Sequence, residues 1–394
     1  MAYAGVLLIA LGAHLGVSLI QIGFVVLLAD FLGQKAWKRS DKALALALVG
    51  FAAAALFHNA IGTLGFSNWG YALRWRFVFI LLFVPLLLSA QQRRSSLDAL
   101  LLLTGISGLY GMAQFGFNHA GWLNVLPGIE APDIRRFGEV LKGTFWHGRH
   151  YATGLIHNIP AFAHSSALVL LWPAAEWLIG GKRLPKWKVA ACLFALLGIA
   201  ASGSRGAWLG LITGLLMLTI IRYLPRWRTQ LALAGLAAIF VCGTAAVVMV
   251  STSANSAGLA GRDAIWKQCR QTLGETFPQG LGYGNHPKRA QASYPKILPL
   301  KRAVQTWCHN LPLSLAVEAP AALLALALLL LLLIRRCAGD GERAALACAA
   351  ILAFGAIGMV HDPHFQREFF PLALLLIALG IGPPKAFVSE PRSL

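Results

Sequence analysis

The sequence predicts an all-α polytopic membrane protein with about twelve spans and a large, partly helical outer loop. Three observations carry that prediction. Of 394 residues, 57% are hydrophobic and only 12% are charged, where a soluble domain carries roughly 25% charged residues. The apolar residues fall in runs such as Leu231–Val250 and Leu311–Ile334, matching the roughly 20 residues a helix needs to cross hydrocarbon. Those runs mix Val, Ile, Leu and Ala without period-2 alternation, which argues against an outer-membrane barrel. The same figures exclude an ordinary soluble enzyme and a disordered chain.

In order, Met1–Leu32 reads as two short passes breaking near His14–Gly16. Ala43–Ala60, Phe77–Ala90, Leu97–Gly116, Ile159–Ile179, Val189–Ser202, Trp208–Ile221 and Leu231–Val250 follow, so residues 1–250 hold nine spans and a shorter outer loop near 118–158. Residues 251–310 form the large outer loop. Leu311–Ile334, Ala344–Val360 and Phe370–Ile381 complete the set within 311–394. The first basic residue is Lys35, so there is no positively charged n-region and no cleavable leader is expected.

Short basic connections recur after every second span: Lys35–Lys42, Arg93/Arg94, Lys182–Lys188, Arg222–Arg228, Arg335–Arg343, and the tail with Lys385 and Arg392. The positive-inside rule places them in the cytoplasm. Eighteen of the 34 basic residues fall there, and sixteen fall outside. The large outer loop alone carries Arg262, Lys267, Arg270, Lys288, Arg289, Lys296, Lys301 and Arg302 against Asp263 and Glu275. Topology permits that excess without explaining it. An anionic substrate, most simply a phosphate, explains it; attraction to anionic lipid is the blander account. Nucleic acid is not an expected partner of such a chain.

Four segments carry chemistry. Ser202-Gly203-Ser204-Arg205-Gly206-Ala207-Trp208-Leu209 is a tight outer turn between two short spans. Ser202 or Ser204 is placed to cap the next helix. An Arg at a helix N-terminus, flanked by glycines at headgroup depth, suits a phosphate; the alternative is an Arg that anchors the span. Gly261-Arg262-Asp263-Ala264-Ile265-Trp266 opens the large loop, and Ile265, Cys269 and Leu273 recur at helical spacing. For Lys267 and Arg270 a solvated basic face is the simpler reading. Cys308-His309-Asn310 closes the loop, and a neutral His there can act as a base. Glu318 lies nine residues on, placed to orient that ring or line the cavity. Between them, Pro278-Gln279-Gly280-Leu281-Gly282-Tyr283-Gly284 spaces three glycines for close backbone approach to a ligand, although it is no P-loop.

No metal or other cofactor is expected. His361-Asp362-Pro363-His364 is the one cluster with ligand types, and a turn before the last span accounts for it equally. If the outer side is an oxidising compartment, a Cys269–Cys308 disulfide is permitted, although spacing alone does not establish proximity.

Taken together, Ser-Arg-Gly-Ala-Trp-Leu after a span, Gly-Arg-x-x-x-Trp opening a large loop, Pro-x-Gly-x-Gly-x-Gly within it and His-Asn closing it resemble the O-antigen ligase and polymerase superfamily. The specific motifs lie in Ser202–Glu318. The resemblance implies a glycosyltransferase C-like fold in a bacterial inner membrane. It implies inverting, metal-independent transfer of glycan from undecaprenyl diphosphate on the periplasmic side. In ligases the acceptor is a sugar of lipid A–core. Arg205 with Leu209 falls on the family's Arg-x-x-x-Leu motif, and His309-Asn310 on its His-Asn/Ser/Gln motif. A Gly and a Thr that follow in the second motif are Pro320 and Leu323 here, a departure that bears on which member this is.

The resemblance thus implies His309 as base and Arg205 and Arg262 as diphosphate ligands. Asn310, Trp266, Glu318, His286 and Arg289 are supporting candidates. A polymerase stays open, because the first long loop holds Arg135, Arg136, Lys142 and Arg149. A protein O-oligosaccharyltransferase is a further alternative, disfavoured by the short tail. A transporter of a lipid-linked anion would explain the charge but not the gathering of His and Arg on one side.

Overall fold

The computed structural model describes residues 1–64, 73–117, 145–146, 149–156, 158–252, 262–293, 307–337, 341–362 and 366–381. Sixteen α-helices are seen among them. They are α1 Ala2–Leu15, α2 Val17–Gly33, α3 Lys42–Ile61, α4 Ile80–Leu87, α5 Ala90–Gly116, α6 Ile159–Val169, α7 Leu171–Leu178 and α8 Lys186–Ser202. There follow α9 Arg205–Tyr223, α10 Arg228–Thr252, α11 Arg262–Thr276, α12 His286–Ser293, α13 Leu311–Glu318, α14 Pro320–Arg336, α15 Glu342–Gly358 and α16 Phe369–Gly380. Phe145–Trp146 and Arg149–His150 form a two-residue antiparallel pairing.

Four segments are long and apolar enough to cross a membrane: Lys42–Ile61, Ala90–Gly116, Arg205–Tyr223 and Pro225–Met249. The other expected spans are shorter helices or broken ones. Leu46 and Met249 are 73% and 70% exposed, apolar side chains turned outward as a lipid-facing surface requires.

The breaks have local causes. The first apolar run splits at Gly16 into an antiparallel hairpin, α1 on α2. A Cβ at Gly23 would lie 2.5 Å from the Gly5 carbonyl oxygen, so the two backbones touch where side chains are absent. The expected span Ile159–Ile179 is α6 and α7, because Pro173 has no N–H for the Val169 carbonyl. Leu311–Ile334 is likewise α13 and α14. Pro320 forces Ala319 out of helical geometry, to φ −151° and ψ 74°.

That second break is held from outside. His58 of α3 donates from Nδ1 to the Gln279 carbonyl at 2.7 Å and accepts the Ala321 N–H at Nε2, 3.0 Å away. A ring that donates at one nitrogen and accepts at the other is the neutral tautomer. His58 thereby satisfies an orphan donor at the start of α14.

At one end of the bundle, charged side chains tie the helices together. Lys188 is buried and donates to Asp98 and Glu176, each at 2.5 Å. Arg94 reaches the other Glu176 oxygen at 2.8 Å, and Trp172 donates to Asp98 at 2.7 Å. Lys182 pairs with Glu342, Arg336 with Asp41, and Arg93 donates to the Ile381 carbonyl. These are the basic connections that the charge pattern assigns to one face. Arg93 and Arg94 lie inside α5, which starts seven residues before the expected span, where Ser89 and Gln92 form a capping box.

Candidate active site

The connections of the opposite parity converge on a cavity of about 690 Å³. His14, Leu15 and Gly16 from the α1–α2 tip, Leu155, Ile156, Asn158, Pro160, Trp307, His309, His361, Asp362, Gln366, Arg367 and Glu368 line it. The Leu155 wall is delivered by α5. Gln114 Oε1 accepts the N–H groups of Thr153 and Gly154 at 3.0 Å each, and Ser107 accepts that of Leu155 at 2.9 Å.

His309 has φ 50°, a left-handed backbone uncommon for a residue with a Cβ. Two contacts hold it there. Its N–H donates to Asp362 Oδ2 at 2.5 Å, and Asp362 Oδ1 accepts the Ser314 hydroxyl at 2.6 Å. Asn310 sets the next residue: its Oδ1 caps α13 at the Leu313 N–H, 2.9 Å away, and its Nδ2 donates to the Met359 carbonyl at 3.0 Å. The His309 ring meets the His361 ring edge-to-face, 6.1 Å between centroids. His361 also meets His164 at 4.7 Å.

Arg205 opens α9, and its side chain is exposed. Its neighbour Gly206 joins this turn to the cavity, since a Cβ there would sit 2.7 Å from the His361 ring. The expected serine cap is not made. Ser202 donates to the Ile199 carbonyl and accepts the Ser204 N–H, while Ser204 occupies the N-cap position without a side-chain cap bond. Among the described residues no side chain caps the first-turn amides of α9, and Ser204 Oγ and His164 Nε2 are buried with no partner.

Arg262 begins α11; its side chain lies outside the described residues, as do Lys296, Lys301, Arg302, Arg135, Arg136, Lys142, His364, Lys385, Arg392 and the Arg149 side chain. Trp266, one turn on, is buried and donates from its indole N–H to the Cys308 carbonyl at 2.8 Å. A Cys269–Cys308 disulfide, with 6.1 Å between Cα atoms, makes the second link between α11 and the residue preceding His309.

Two sequence expectations need correction, those for the glycine-rich turn and for Glu318. The glycine-rich turn is not a ligand cradle. Gly280, Gly282 and Gly284 have φ of 72°, 84° and 82°. The turn wedges between α3 and α13: the N–H groups of Leu281 and Gly282 donate to the carbonyls of Val317 and Glu318, at 3.0 Å each. The glycines serve close approach of backbone to backbone. Glu318 does not orient His309. It is fully buried and accepts the Gly284 and His286 N–H groups at 2.9 Å each, fixing that turn. Arg289 pairs on the surface with Glu275 at 3.1 Å, a contact worth little.

The segment His361–Asp362, read from sequence as a turn or a metal cluster, belongs to the cavity with His309. Among the described residues a group with ligand spacing lies elsewhere: Cys269, His286 and Cys308 place their ligand atoms within 4.8 Å of one another. The disulfide takes both sulfurs, and His286 Nε2 stands 3.3 Å from Cys269 Sγ. Glu368, at the N-cap of α16, has its carboxyl pushed above the usual range by burial. Neither Glu368 nor Arg367 was signalled by any motif.

Replacing both Cys269 and Cys308 by Ser is expected to lower stability by about 4 kcal/mol from loop closure alone, given a separation of 39 residues. A melting curve in detergent checks this. An unchanged midpoint would mean that the link constrains nothing.

Residues 190–319, about a third of the chain, match the O-antigen ligase family. The match contains Arg205, Arg262, Trp266, Cys269, Cys308, His309 and Glu318, and ends before His361 and Asp362. No curated protein and no solved structure matches the chain.

Proposed function

From a chain whose residues 190–319 carry the O-antigen ligase match, we propose an enzyme that transfers glycan from undecaprenyl diphosphate to a hydroxyl of a lipid A–core sugar. The setting is the periplasmic side of a bacterial inner membrane, and the architecture glycosyltransferase C-like. The observation that carries this reading is a cavity lined by a locked His309 and by His361, against which the amino end of α9 packs at Gly206.

The chemistry follows from those parts. An imidazole nitrogen of His309 takes the proton of the acceptor hydroxyl as its oxygen attacks the anomeric carbon. The bond from that carbon to the diphosphate oxygen breaks, and undecaprenyl diphosphate leaves with the electron pair. Attack opposite the leaving group is one displacement, so configuration inverts. Negative charge develops on the diphosphate. Arg205, the first-turn amides of α9 and Arg262 supply positive charge where it develops. Diphosphate is already a good leaving group, so this scheme needs neither a general acid nor a metal.

The test uses purified protein, undecaprenyl-diphosphate-linked glycan and lipid A–core, with chelator present, and follows the joined product on a gel. Wild type is expected to join them. Arg205→Ala is expected to be slower by about 10²- to 10³-fold, and Arg205→Lys to recover only part, since a point charge replaces a two-pronged donor. Longer chains from lipid-linked repeats alone would make the protein a polymerase. Glycan joined to Ser or Thr of a protein would make it a protein glycosyltransferase. Movement of the lipid-linked glycan across vesicles without joining would make it a transporter.

A further inference from the structure

Within the His309 cavity, His361 is backed by His164 and by Gly206 at the amino end of α9, where the reaction proposed above puts the diphosphate. Glu368 and Arg367 from the start of α16, Asn158, the α1–α2 tip and Trp307 also line the cavity, as a further wall. Glu368 is half-buried, and its side chain makes no cap bond to α16. Among the described residues, nothing but its own amide hydrogen-bonds its carboxylate, with Arg367 and Arg74 near enough to act electrostatically.

A carboxylate accepts at about four lone-pair sites. Facing a cavity, those sites are open to the hydroxyl donors of a ligand that displaces water. The two guanidiniums disfavour a cationic ligand. Neutral hydroxyl donors suit the position, and Trp307, an aromatic side chain that can pack on a sugar ring, lines the same cavity.

We propose that Glu368 receives hydrogen bonds from hydroxyls of the acceptor sugar, with Trp307 as the platform for its ring, so that this wall selects the acceptor. The inference rests on the transfer reading for which sugar enters, but its test does not depend on turnover. His309 lines the same cavity, so a sugar held at Glu368 presents a hydroxyl to the base while the donor lies on the α9 side.

Two measurements on full-length protein in detergent decide it. Titration with delipidated lipopolysaccharide core oligosaccharide, read by tryptophan fluorescence, should show affinity lower by about 10- to 100-fold in Glu368→Ala, with a smaller loss in Glu368→Gln, which keeps one acceptor oxygen. In steady state, Glu368→Ala should raise the KM for acceptor by a similar factor. The KM for donor, and the rate at saturating acceptor, should stay within about threefold of wild type. Equal oligosaccharide binding by Glu368→Ala and wild type overturns the proposal. So does a fall in rate with unchanged acceptor KM, the signature of a structural role. Binding that depends on Glu368 in a wild-type protein that joins no glycan would sink the transfer reading and leave the acceptor wall standing.

Discussion

His309→Ala is expected to slow transfer by about 10²- to 10⁴-fold, the usual worth of a positioned base. The substitution removes the imidazole without removing its mount. The N–H of residue 309 still reaches Asp362, so α13 keeps its entry angle. Alanine at φ 50° costs on the order of 1 kcal/mol, which a melting curve registers separately from the rate. His309→Asn tolerates the left-handed backbone better and carries no base, so it should be as slow as His309→Ala but more stable. Recovery of rate on adding free imidazole to His309→Ala would assign the loss to the missing proton acceptor. Wild-type turnover in either variant would end the role of His309 as base.

Asp362→Ala is expected to approach the same loss by a different route. Asp362 is buried and accepts from both the His309 N–H and the Ser314 hydroxyl. Alanine strands both donors, at about 1–3 kcal/mol for each left unpaired, and frees the backbone that aims the ring. Asp362→Asn keeps an oxygen for His309 and turns its amide toward Ser314, which can accept. The expected order of rates is therefore wild type, then Asn, then Ala. Residues that act as one unit are not additive. His309→Ala/Asp362→Ala should thus be no slower than His309→Ala alone. A double variant that multiplies the two losses would show that Asp362 acts on something other than His309.

Asp362 also marks where sequence reasoning stops. The helical, apolar, membrane-type organisation was legible because composition and charge parity are properties of the chain in one dimension. Arg205, Trp266, His309 and Asn310 were legible because each stands in a local motif, and all lie within the segment that matches the ligase family. Asp362 lies 53 residues beyond His309 in sequence, and a lone Asp after a His is as common in turns as in sites. Only the packing of α13 against the end of α15 gives it a partner. Glu368 is similar: nothing local distinguishes it, and its meaning comes from the cavity it lines.

The errors have physical sources as well. Three alternating glycines signal close approach, but the signal does not say what approaches. Here it is the backbone at Val317 and Glu318. Glu318 stands only nine residues from His309 in sequence, so proximity along the chain suggested one site. The helix instead turns its carboxylate toward Gly284 and His286. Pro173 and Pro320 were visible as residues, yet uninterrupted apolar runs hid the helix breaks they cause. Hydropathy records burial from water and is silent on backbone geometry.

The ion pairs at the far end of the bundle bear on motion. Glu176 and Lys188 join α7 to α8, Arg94 and Asp98 bring in α5, Lys182 and Glu342 reach α15, and Asp41 and Arg336 join α3 to α14. A rocking transporter would have to prise these helices apart in every cycle, exposing Lys188 and Glu176 to each other's loss. A buried ion that loses its partner costs about 3–5 kcal/mol. The described ion pairs thus fasten these helices to one another like rivets. Transfer as proposed above asks for no such opening, because donor, acceptor and product can all pass at the His309 cavity.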